Sequence, residues 1–350
     1  MRQSNVLELM VQCIKENENI ALIGPPGCGK SSLADQACVI TKRDLILSLP
    51  STEDVTEPGG FPWISEDRSR ATKVPFGQAY RAIHAKKPAL WWWEDFGQAN
   101  PSVQAAYMQW ALAREVNGNR LPDHVSIGLA TNRRTDKAGV SGMLEPVKGR
   151  FTLIHVESNV DDFCLDLIRR GKVAYGLTEN TIAMGCAFIR FRPELLNAFV
   201  STVDMTNSPT ERNWVAVFRH AQRKMKPAIE FEAVQGRVGQ GAAAEFIGFL
   251  RTYREMPSLD ALLLDPESAV IPSMPAALYA VSVGLASKAT ESNFGRIGRY
   301  AQRLYEGGHG EFAVLLVKDS QRRDPKVVNT TAYIELACTE VGKLITGEGI

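Results

Sequence analysis

Residues 24–31 constrain this chain more than any other stretch, because Gly-Pro-Pro-Gly-Cys-Gly-Lys-Ser matches the G-x-x-x-x-G-K-S pattern of a phosphate-binding loop. The apolar run at 20–23 predicts a buried strand before the loop, and residues 30–39 predict a helix after it. In such a loop the glycines let backbone N–H groups point at phosphates, and the helix N-terminus adds partial positive charge. A chance glycine-rich turn would not explain this strand–loop–helix context, so we expect nucleotide binding.

The loop also supplies candidate ligands for ATP and Mg²⁺. We expect Lys30 to reach the β- and γ-phosphates and the Ser31 hydroxyl to ligate Mg²⁺. The sequence leaves two interpretations of Cys28 open: a small residue that fits the loop, or an activated thiol whose oxidation would block nucleotide binding. The candidate nucleotide-binding residues are Gly24, Pro25, Pro26, Gly27, Cys28, Gly29, Lys30, Ser31 and Ser32.

The first part of the chain alternates predicted strands and helices. Such an alternation predicts an α/β fold, with a parallel sheet that has helices on both faces. The run Trp91-Trp92-Trp93 lies in a predicted central strand, where we expect core tryptophans rather than base-stacking ones. The predicted strands are 20–23, 45–49, 89–93, 125–130 and 151–156, and the predicted helices are 4–17, 30–39, 76–87 and 101–115.

After residue 156 the pattern becomes helical. A proline-containing linker is predicted over 257–272, with Pro257, Pro266 and Pro272, and a buried helix over 275–287. The rest of the chain, to residue 350, is predicted to be mostly helical. The other predicted helices are 161–171, 178–191, 209–224 and 241–254.

Composition excludes several classes of function. The 350 residues carry a net charge of only +1, so no basic surplus points to a nucleic-acid binder. The six cysteines form no C-x-x-C pair and the five histidines no H-E-x-x-H motif, so neither a structural metal site nor a disulfide framework is expected. The N-terminus resembles neither a signal peptide nor a membrane anchor, and we expect a cytoplasmic protein without a membrane span.

Polar residues follow two of the predicted strands. Glu94 and Asp95 come directly after the tryptophan strand, and Asn132 ends the strand that starts at residue 125. An enzyme with a phosphate-binding loop needs an acidic residue at a strand end to hold Mg²⁺, and a hydrolase also needs a group that orients the attacking water. These three side chains are therefore the candidate catalytic and metal-binding groups.

Five stretches, in order, resemble those of the AAA+ ATPases, and within them the MoxR-like group. The resemblance covers roughly residues 1–225 and implies a P-loop AAA+ core over 1–157, a helical lid over 158–256 and a mostly helical C-terminal extension over 257–350. An isolated P-loop would be weak evidence, but the ordered set is specific. The stretches are 24–31, 93–112, 121–134, 144–151 and 207–214.

The resemblance also assigns roles to single residues. It implies that Glu94 occupies the Mg²⁺-side position of the acid pair, that Asp95 activates the attacking water, and that Asn132 is the sensor-one residue. Family members usually have Asp followed by Glu at this pair, whereas the order here is reversed. Asp95 is one methylene shorter than the usual base, and a misplacement near 1 Å can cost about 10²-fold in rate. We therefore expect ATP binding with slow hydrolysis.

Two arginines complete the implied catalytic set. Arg150 matches the arginine finger, which in this family reaches the nucleotide of a neighbouring subunit, and Arg212 matches sensor two. From the residues alone, both would be interpreted as solvated surface arginines. Residues 208–211, Ser-Pro-Thr-Glu, spell a capping box, which predicts that Arg212 lies in the first turn of a helix.

The resemblance further implies a hexameric ring that remodels or matures a protein target, with a partner that carries a von Willebrand factor A domain. A finger acting in trans requires a head-to-tail interface, which closes into a ring. Phe61 and Trp63, in a long predicted loop over 50–75, either grip a polypeptide in the central pore or pack the loop down. Two alternatives stay open: a nucleic-acid-associated AAA+ motor or loader, and an ATP-dependent scaffold with weak hydrolysis.

Overall fold

The computed structural model describes residues 1–136, 139–223, 225–256 and 258–346, and these divide into two compact units. Unit 1 comprises residues 1–159 together with 199–204. Unit 2 comprises residues 160–198 and 205–350. The predicted division of the later chain into a lid over 158–256 and an extension over 257–350 stays a prediction.

Unit 1 is built on a five-stranded sheet in which every pair of neighbours is parallel, in the order β2-β5-β8-β1-β9. Two-stranded antiparallel sheets are formed by β3 with β4 and by β6 with β7. The strands are β1 (Ile20–Ile23), β2 (Asp44–Ser48), β3 (Phe61–Ile64), β4 (Ala71–Val74), β5 (Ala89–Trp93), β6 (Glu115–Val116), β7 (Asn119–Arg120), β8 (Val125–Thr131) and β9 (Thr152–His155).

Apart from α1 (Gln3–Glu16), which precedes β1, the helices of unit 1 lie in the connections between the parallel strands, as crossover connections in a parallel sheet require. These helices are α2 (Lys30–Thr41), α3 (Thr56–Gly59), α4 (Gly77–Ile83), α5 (Pro101–Ala113) and α6 (Glu145–Lys148). The predicted fold class is confirmed: a parallel sheet flanked by helices, followed along the chain by a helical part. All five predicted sheet strands are present, with ends shifted by one residue at most.

The tryptophan strand β5 lies in the interior, since all five of its residues are buried. Successive side chains of a strand point to opposite faces, so the three indoles divide between two cores. Trp91 and Trp93 pack with Tyr107 and Trp110 of α5 on one face. Trp92 belongs to the core on the other face, which α1 and α2 cover. The prediction that these tryptophans are core residues is confirmed.

The segment 50–75 was expected to be a long loop, and that expectation is wrong. It contains the short helix α3 and a hairpin of β3 and β4, in which Phe61 pairs with Val74 and Ile64 with Ala71. The hairpin is hard to recognise from sequence because Pro62 lies in β3 and no residue of either strand is buried. Its stability therefore comes from cross-strand pairing rather than from an apolar face in the core.

Unit 2 contains only helices and turns within its described residues. Helix α10 was not predicted, and α12 lies inside the predicted linker, whose Pro257 is outside the described residues. The helices are α7 (Val160–Tyr175), α8 (Glu179–Phe191), α9 (Glu211–Ala221), α10 (Pro227–Val238), α11 (Gln240–Glu255), α12 (Leu259–Leu264), α13 (Pro275–Ser287), α14 (Phe294–Glu306), α15 (Gly310–Arg323), α16 (Thr331–Ala337) and α17 (Glu340–Thr346).

Helix α13 of unit 2 is largely buried and has the predicted bounds 275–287. It packs between α8 and α15. A salt bridge between Arg190 of α8 and Asp319 of α15 lies in the interior, and the second nitrogen of the guanidinium donates to Asp319 at 2.9 Å. Across the described ranges, no helix combines the length and apolar character needed to cross a bilayer.

Candidate functional site

The carboxyl ends of β1, β5 and β8 meet at one edge of the sheet, where parallel α/β sheets commonly bind ligands. The phosphate-binding loop leaves β1 there, and two of its glycines, Gly27 (φ 72°) and Gly29 (φ 84°), adopt the left-handed conformation. Side chains other than glycine rarely adopt these angles, so the loop requires glycine at both positions. Gly29 caps α2, and its neighbour Lys30 is the first helical residue.

Lys30 is buried, and its ammonium group connects the loop to the neighbouring strand β8. The ammonium donates to the carbonyl oxygens of Gly24 and Pro25, at 3.0 Å each, and to Asn132 Oδ1 at 2.9 Å. Because the amide oxygen of Asn132 accepts from Lys30, its NH₂ group is left as a donor for a phosphate or a water. The two residues that sequence analysis assigned separately thus form one hydrogen-bonded pair.

Ser31 and Glu94 form the second connection across this edge. The Ser31 hydroxyl donates to Glu94 Oε1 at 2.9 Å, and the indole N–H of Trp92 donates to Glu94 Oε2 at 2.7 Å. Both carboxylate oxygens are therefore held in defined positions. The role of Trp92 was missed, because an apolar run of three tryptophans predicts burial but does not reveal where an N–H group points.

A Mg²⁺ ion fits the oxygen donors at this place. Magnesium prefers hard oxygen ligands and is usually held by one or two protein oxygens together with phosphate oxygens and water. The Ser31 hydroxyl and the Glu94 carboxylate supply two such oxygens within hydrogen-bond distance of each other. They are the residues that would hold the ion.

Asp95 differs from Glu94 in both backbone and side chain. Its φ of 49° and ψ of 34° place it in the left-handed region, which Asp tolerates better than most residues. Among the described residues its carboxylate has no hydrogen-bond partner, whereas both oxygens of Glu94 are engaged. Backbone strain of this kind tends to occur at functional sites. Asp95 is thus the acid of the pair that is available to a water molecule.

The environment of Cys28 favours the packing interpretation of this residue. Cys28 is fully buried in the core beneath the loop. A Cβ atom added at Gly24 would lie 2.9 Å from the Cys28 sulfur and 3.0 Å from the Val156 carbonyl oxygen, so the loop is tightly packed there. A buried thiol in apolar surroundings is poorly reactive.

Arg150 follows the short helix α6 and precedes β9. Its Nη1 donates to the carbonyl oxygen of Pro146, while its Nε is buried without a partner in the described part of the chain. An unsatisfied buried donor has an energetic cost, which favours movement of the side chain away from α6. No hydrogen bond joins Arg150 to Lys30, Ser31 or Glu94 in the described residues.

Arg212 belongs to unit 2 and is exposed in the first turn of α9, as predicted. The predicted start of the helix is two residues too early, because α9 begins at Glu211 and not at Pro209. The capping residue is Thr210, whose extended backbone lets its side chain accept from the Asn213 N–H at 3.2 Å. The Ser-Pro-Thr-Glu run contains two possible caps, and the sequence does not decide between them.

Two comparisons with known proteins gave no match: no protein-family model matches the chain, and neither does any curated protein. Solved structures do resemble it. A mutant RuvB from Thermotoga maritima is 13% identical over 81% of this chain and 82% of its own, with a TM-score of 0.42. NtrX from Brucella abortus, solved in complex with ATP, is 14% identical over 89% of this chain and 68% of its own, with a TM-score of 0.40.

Proposed function

We propose that this protein is a Mg²⁺-dependent ATPase that couples ATP binding and hydrolysis to the remodelling of a protein target. The observation that carries the proposal is the pair of connections across the sheet edge, from Lys30 to Asn132 and from Ser31 to Glu94. These connections join the phosphate-binding loop to the two strand ends that a P-loop hydrolase needs. A nucleotide phosphate would replace the carbonyl oxygens that Lys30 now contacts.

Each polar residue has one task in this proposal. Lys30 and the N-terminus of α2 neutralise phosphate charge, and Ser31 and Glu94 hold the metal. A bound Mg²⁺ would draw charge from the phosphate oxygens. Asp95, whose carboxylate is free to accept a proton, orients and activates the attacking water, and the Asn132 NH₂ group contacts the γ-phosphate or that water.

Assembly into a ring is part of the same proposal. Arg150 is the residue that reaches the nucleotide of a neighbouring subunit, and a homohexamer is the expected assembly. What supports this role is the weak anchoring of the side chain: among the described residues its buried Nε has no partner, and its Nη1 donates to a backbone carbonyl. Arg212 acts as sensor two, which its exposure and its place in the first turn of α9 permit.

The MoxR-like assignment and a partner with a von Willebrand factor A domain rest on the sequence resemblance. The hairpin gives the proposed target a place to bind. Phe61 is 54% exposed and Trp63 is 62% exposed, and residues two apart in a strand share a face. Two exposed aromatic side chains on one face favour contact with a polypeptide over packing of the segment.

Nucleotide binding is tested with Lys30→Ala, and with Lys87→Ala as a control that removes an exposed lysine outside the site. The parent and Lys87→Ala should bind ATP in the presence of Mg²⁺, and Lys30→Ala should bind at least about 10-fold more weakly because it loses a charge-assisted contact. Calorimetry measures the affinity. Equal affinities for all three proteins would refute the proposed site.

Ring formation is tested with Arg150→Ala, by light scattering with and without ATP. The parent should form a hexamer with ATP, and Arg150→Ala should bind ATP as the parent does but lose most of its turnover. The trans role is then checked by mixing Arg150→Ala with Lys30→Ala, since each variant would supply the half-site that the other lacks. A parent that stays monomeric with every nucleotide would contradict the role of Arg150.

A further inference from the structure

Glu94 is held by two donors, and one of them is an indole. The carboxylate accepts from the Ser31 hydroxyl through Oε1 and from the Trp92 indole N–H through Oε2, at 2.9 and 2.7 Å. A hydrogen bond to an ionised acceptor is short and strong compared with one between neutral groups. The Trp92 contact therefore fixes the orientation of the carboxylate.

Strand geometry brings the two residues together. Trp92 lies in β5, and Glu94, two positions later, directly follows the strand and still donates its N–H to the Ser48 carbonyl oxygen, so both side chains leave on the same face. That face is the one that α2 and the phosphate-binding loop cover. Trp92 is almost completely buried, so its N–H cannot use water as an alternative partner.

The neighbouring strand contains a gap that accommodates the indole. Gly128 of β8 lies directly opposite Trp92 in the parallel register. A Cβ atom at Gly128 would lie 2.7 and 2.8 Å from two carbons of the Trp92 ring, closer than such atoms approach. The indole can occupy this position only because residue 128 has no side chain.

The other two tryptophans of β5 make no such contact. The Trp91 N–H donates to the Ser48 hydroxyl at 2.9 Å on the opposite face. The Trp93 N–H is buried and has no hydrogen-bond partner among the residues described. Of these three indoles, only that of Trp92 is directed at a carboxylate.

We propose that Trp92 is a positioning residue, which holds Glu94 in the orientation that binds Mg²⁺. This inference rests on the proposed function. A glutamate at the metal-side position has one more rotatable bond than the aspartate that is usual there, and ordering that bond has an entropic cost. The indole N–H removes the freedom before the metal binds, so Oε1 is already directed at the Ser31 side.

Trp92→Phe tests the inference because it removes the N–H and retains an apolar ring. Partners that orient a metal ligand are commonly worth 10- to 100-fold in metal affinity. We expect about a 10-fold loss of Mg²⁺ affinity in the presence of a non-hydrolysable ATP analogue, measured by calorimetry, with binding of the analogue in EDTA unchanged. In turnover assays the Mg²⁺ requirement should rise by a similar factor, with a smaller change of kcat at saturating Mg²⁺.

Trp93→Phe is the matched control, since it makes the same substitution one residue away and removes an N–H group that has no hydrogen-bond partner in the described part of the chain. Its Mg²⁺ affinity should equal that of the parent. If Trp92→Phe and Trp93→Phe bind Mg²⁺ equally well, the inference is overturned while the proposed function stands. If the parent itself binds no ATP, the proposed function fails first.

A measurement on the Trp92 N–H itself does not depend on whether Trp92→Phe folds. The chain has six tryptophans, so a ¹⁵N–¹H spectrum contains six indole signals. Glu94→Gln replaces an ionised acceptor by a neutral one and should move one indole proton signal upfield. A spectrum in which no indole signal moves would show that the bond to Glu94 is absent in solution.

The effects of Trp92 and Glu94 on Mg²⁺ affinity should also be coupled in a double-mutant cycle. Glu94→Asp shortens the side chain by one methylene, so the carboxylate can no longer contact Ser31 and Trp92 together. If Trp92 acts through Glu94, then Trp92→Phe should have little further effect on Mg²⁺ affinity in the Glu94→Asp background. Full additivity of the two losses would overturn the inference.

Discussion

The strand β5 and the hairpin strand β3 are both rich in aromatic residues, yet they have opposite surroundings. All five residues of β5 are buried between two cores, and the N–H groups of Trp91 and Trp92 are hydrogen-bonded. All four residues of β3 are exposed, and the ring of Phe61 is edge-to-face with that of Phe76, with ring centroids 6.2 Å apart. The same residue types are therefore buried in one strand of the unit and exposed in another.

Under the proposed function, the contrast separates positioning of the site from access to a partner. In β5 the aromatic rings fix where Glu94 and Asp95 leave the sheet, because a close-packed interior transmits small displacements. In β3 the rings contribute little to the core, so they are available to another molecule. Mutations in β5 should change stability and metal binding, whereas mutations in the hairpin should change partner contact.

The largest difference is expected in stability. Trp91→Ala removes a fully buried ring and should reduce the free energy of unfolding by about 3–5 kcal/mol. Trp63→Ala, which removes an exposed ring, should stay within about 0.5 kcal/mol of the parent. Urea denaturation followed by circular dichroism measures both. Equal losses for the two variants would show that the hairpin is part of the core.

The next-largest effect is expected in ATP turnover, and it concerns Asp95, which follows β5. If the short side chain of Asp95 limits hydrolysis, Asp95→Glu should raise ATP turnover by up to about 10²-fold, with ATP affinity unchanged. Asp95→Asn serves as the control, since it keeps the length and removes the base, and it should lower turnover further. A parent with fast turnover and no gain in Asp95→Glu would contradict the hypothesis.

Partner contact should respond to the hairpin. The double variant Phe61→Ser with Trp63→Ser should weaken binding of a fluorescently labelled unfolded polypeptide by at least about 10-fold, because burying even one large apolar side chain is worth about 1.5–3 kcal/mol and about 1.4 kcal/mol is tenfold. Fluorescence anisotropy with ATP present measures the affinity. Leu112→Ser is the matched control, since Leu112 is 59% exposed but lies on α5. Equal losses in both variants would speak against a specific role of the hairpin.

The smallest effect concerns the hairpin turn. The carboxylate of Asp67 accepts hydrogen bonds from Ser65 and Ser69, which lower its pKa from 3.8 to about 2. A lowered pKa means that these bonds stabilise the turn fully above about pH 4, and that this contribution is lost as the pH falls towards 2.

Backbone amide chemical shifts of the turn measure this dependence. The Ser69 N–H donates to Asp67 at 3.1 Å, so its chemical shift in the parent should change with pH around the Asp67 pKa of about 2. Asp67→Asn has no carboxyl group at this position and should lose the transition. A transition near the ordinary value of 3.8 would show that the turn is open in solution.

Much of unit 1 could be predicted from local patterns. The P-loop, the five parallel strands and the buried tryptophan strand each depend on residues that are adjacent in sequence, so periodicity and motif spacing indicate them. The hairpin of 61–74 and helix α10 were missed. The hairpin has exposed strands and a proline, and α10 was hidden by a region in which several helical patterns follow one another.

The sequence by itself determined that a phosphate-binding loop follows a strand, and that two acids and an asparagine follow two others. Only the tertiary structure decided their connections: Lys30 to Asn132, Ser31 to Glu94, and Trp92 to Glu94 across a gap left by Gly128. The reason is physical. Motifs encode which groups are present, but a hydrogen bond between residues 63 or 102 positions apart depends on strand order, register and packing.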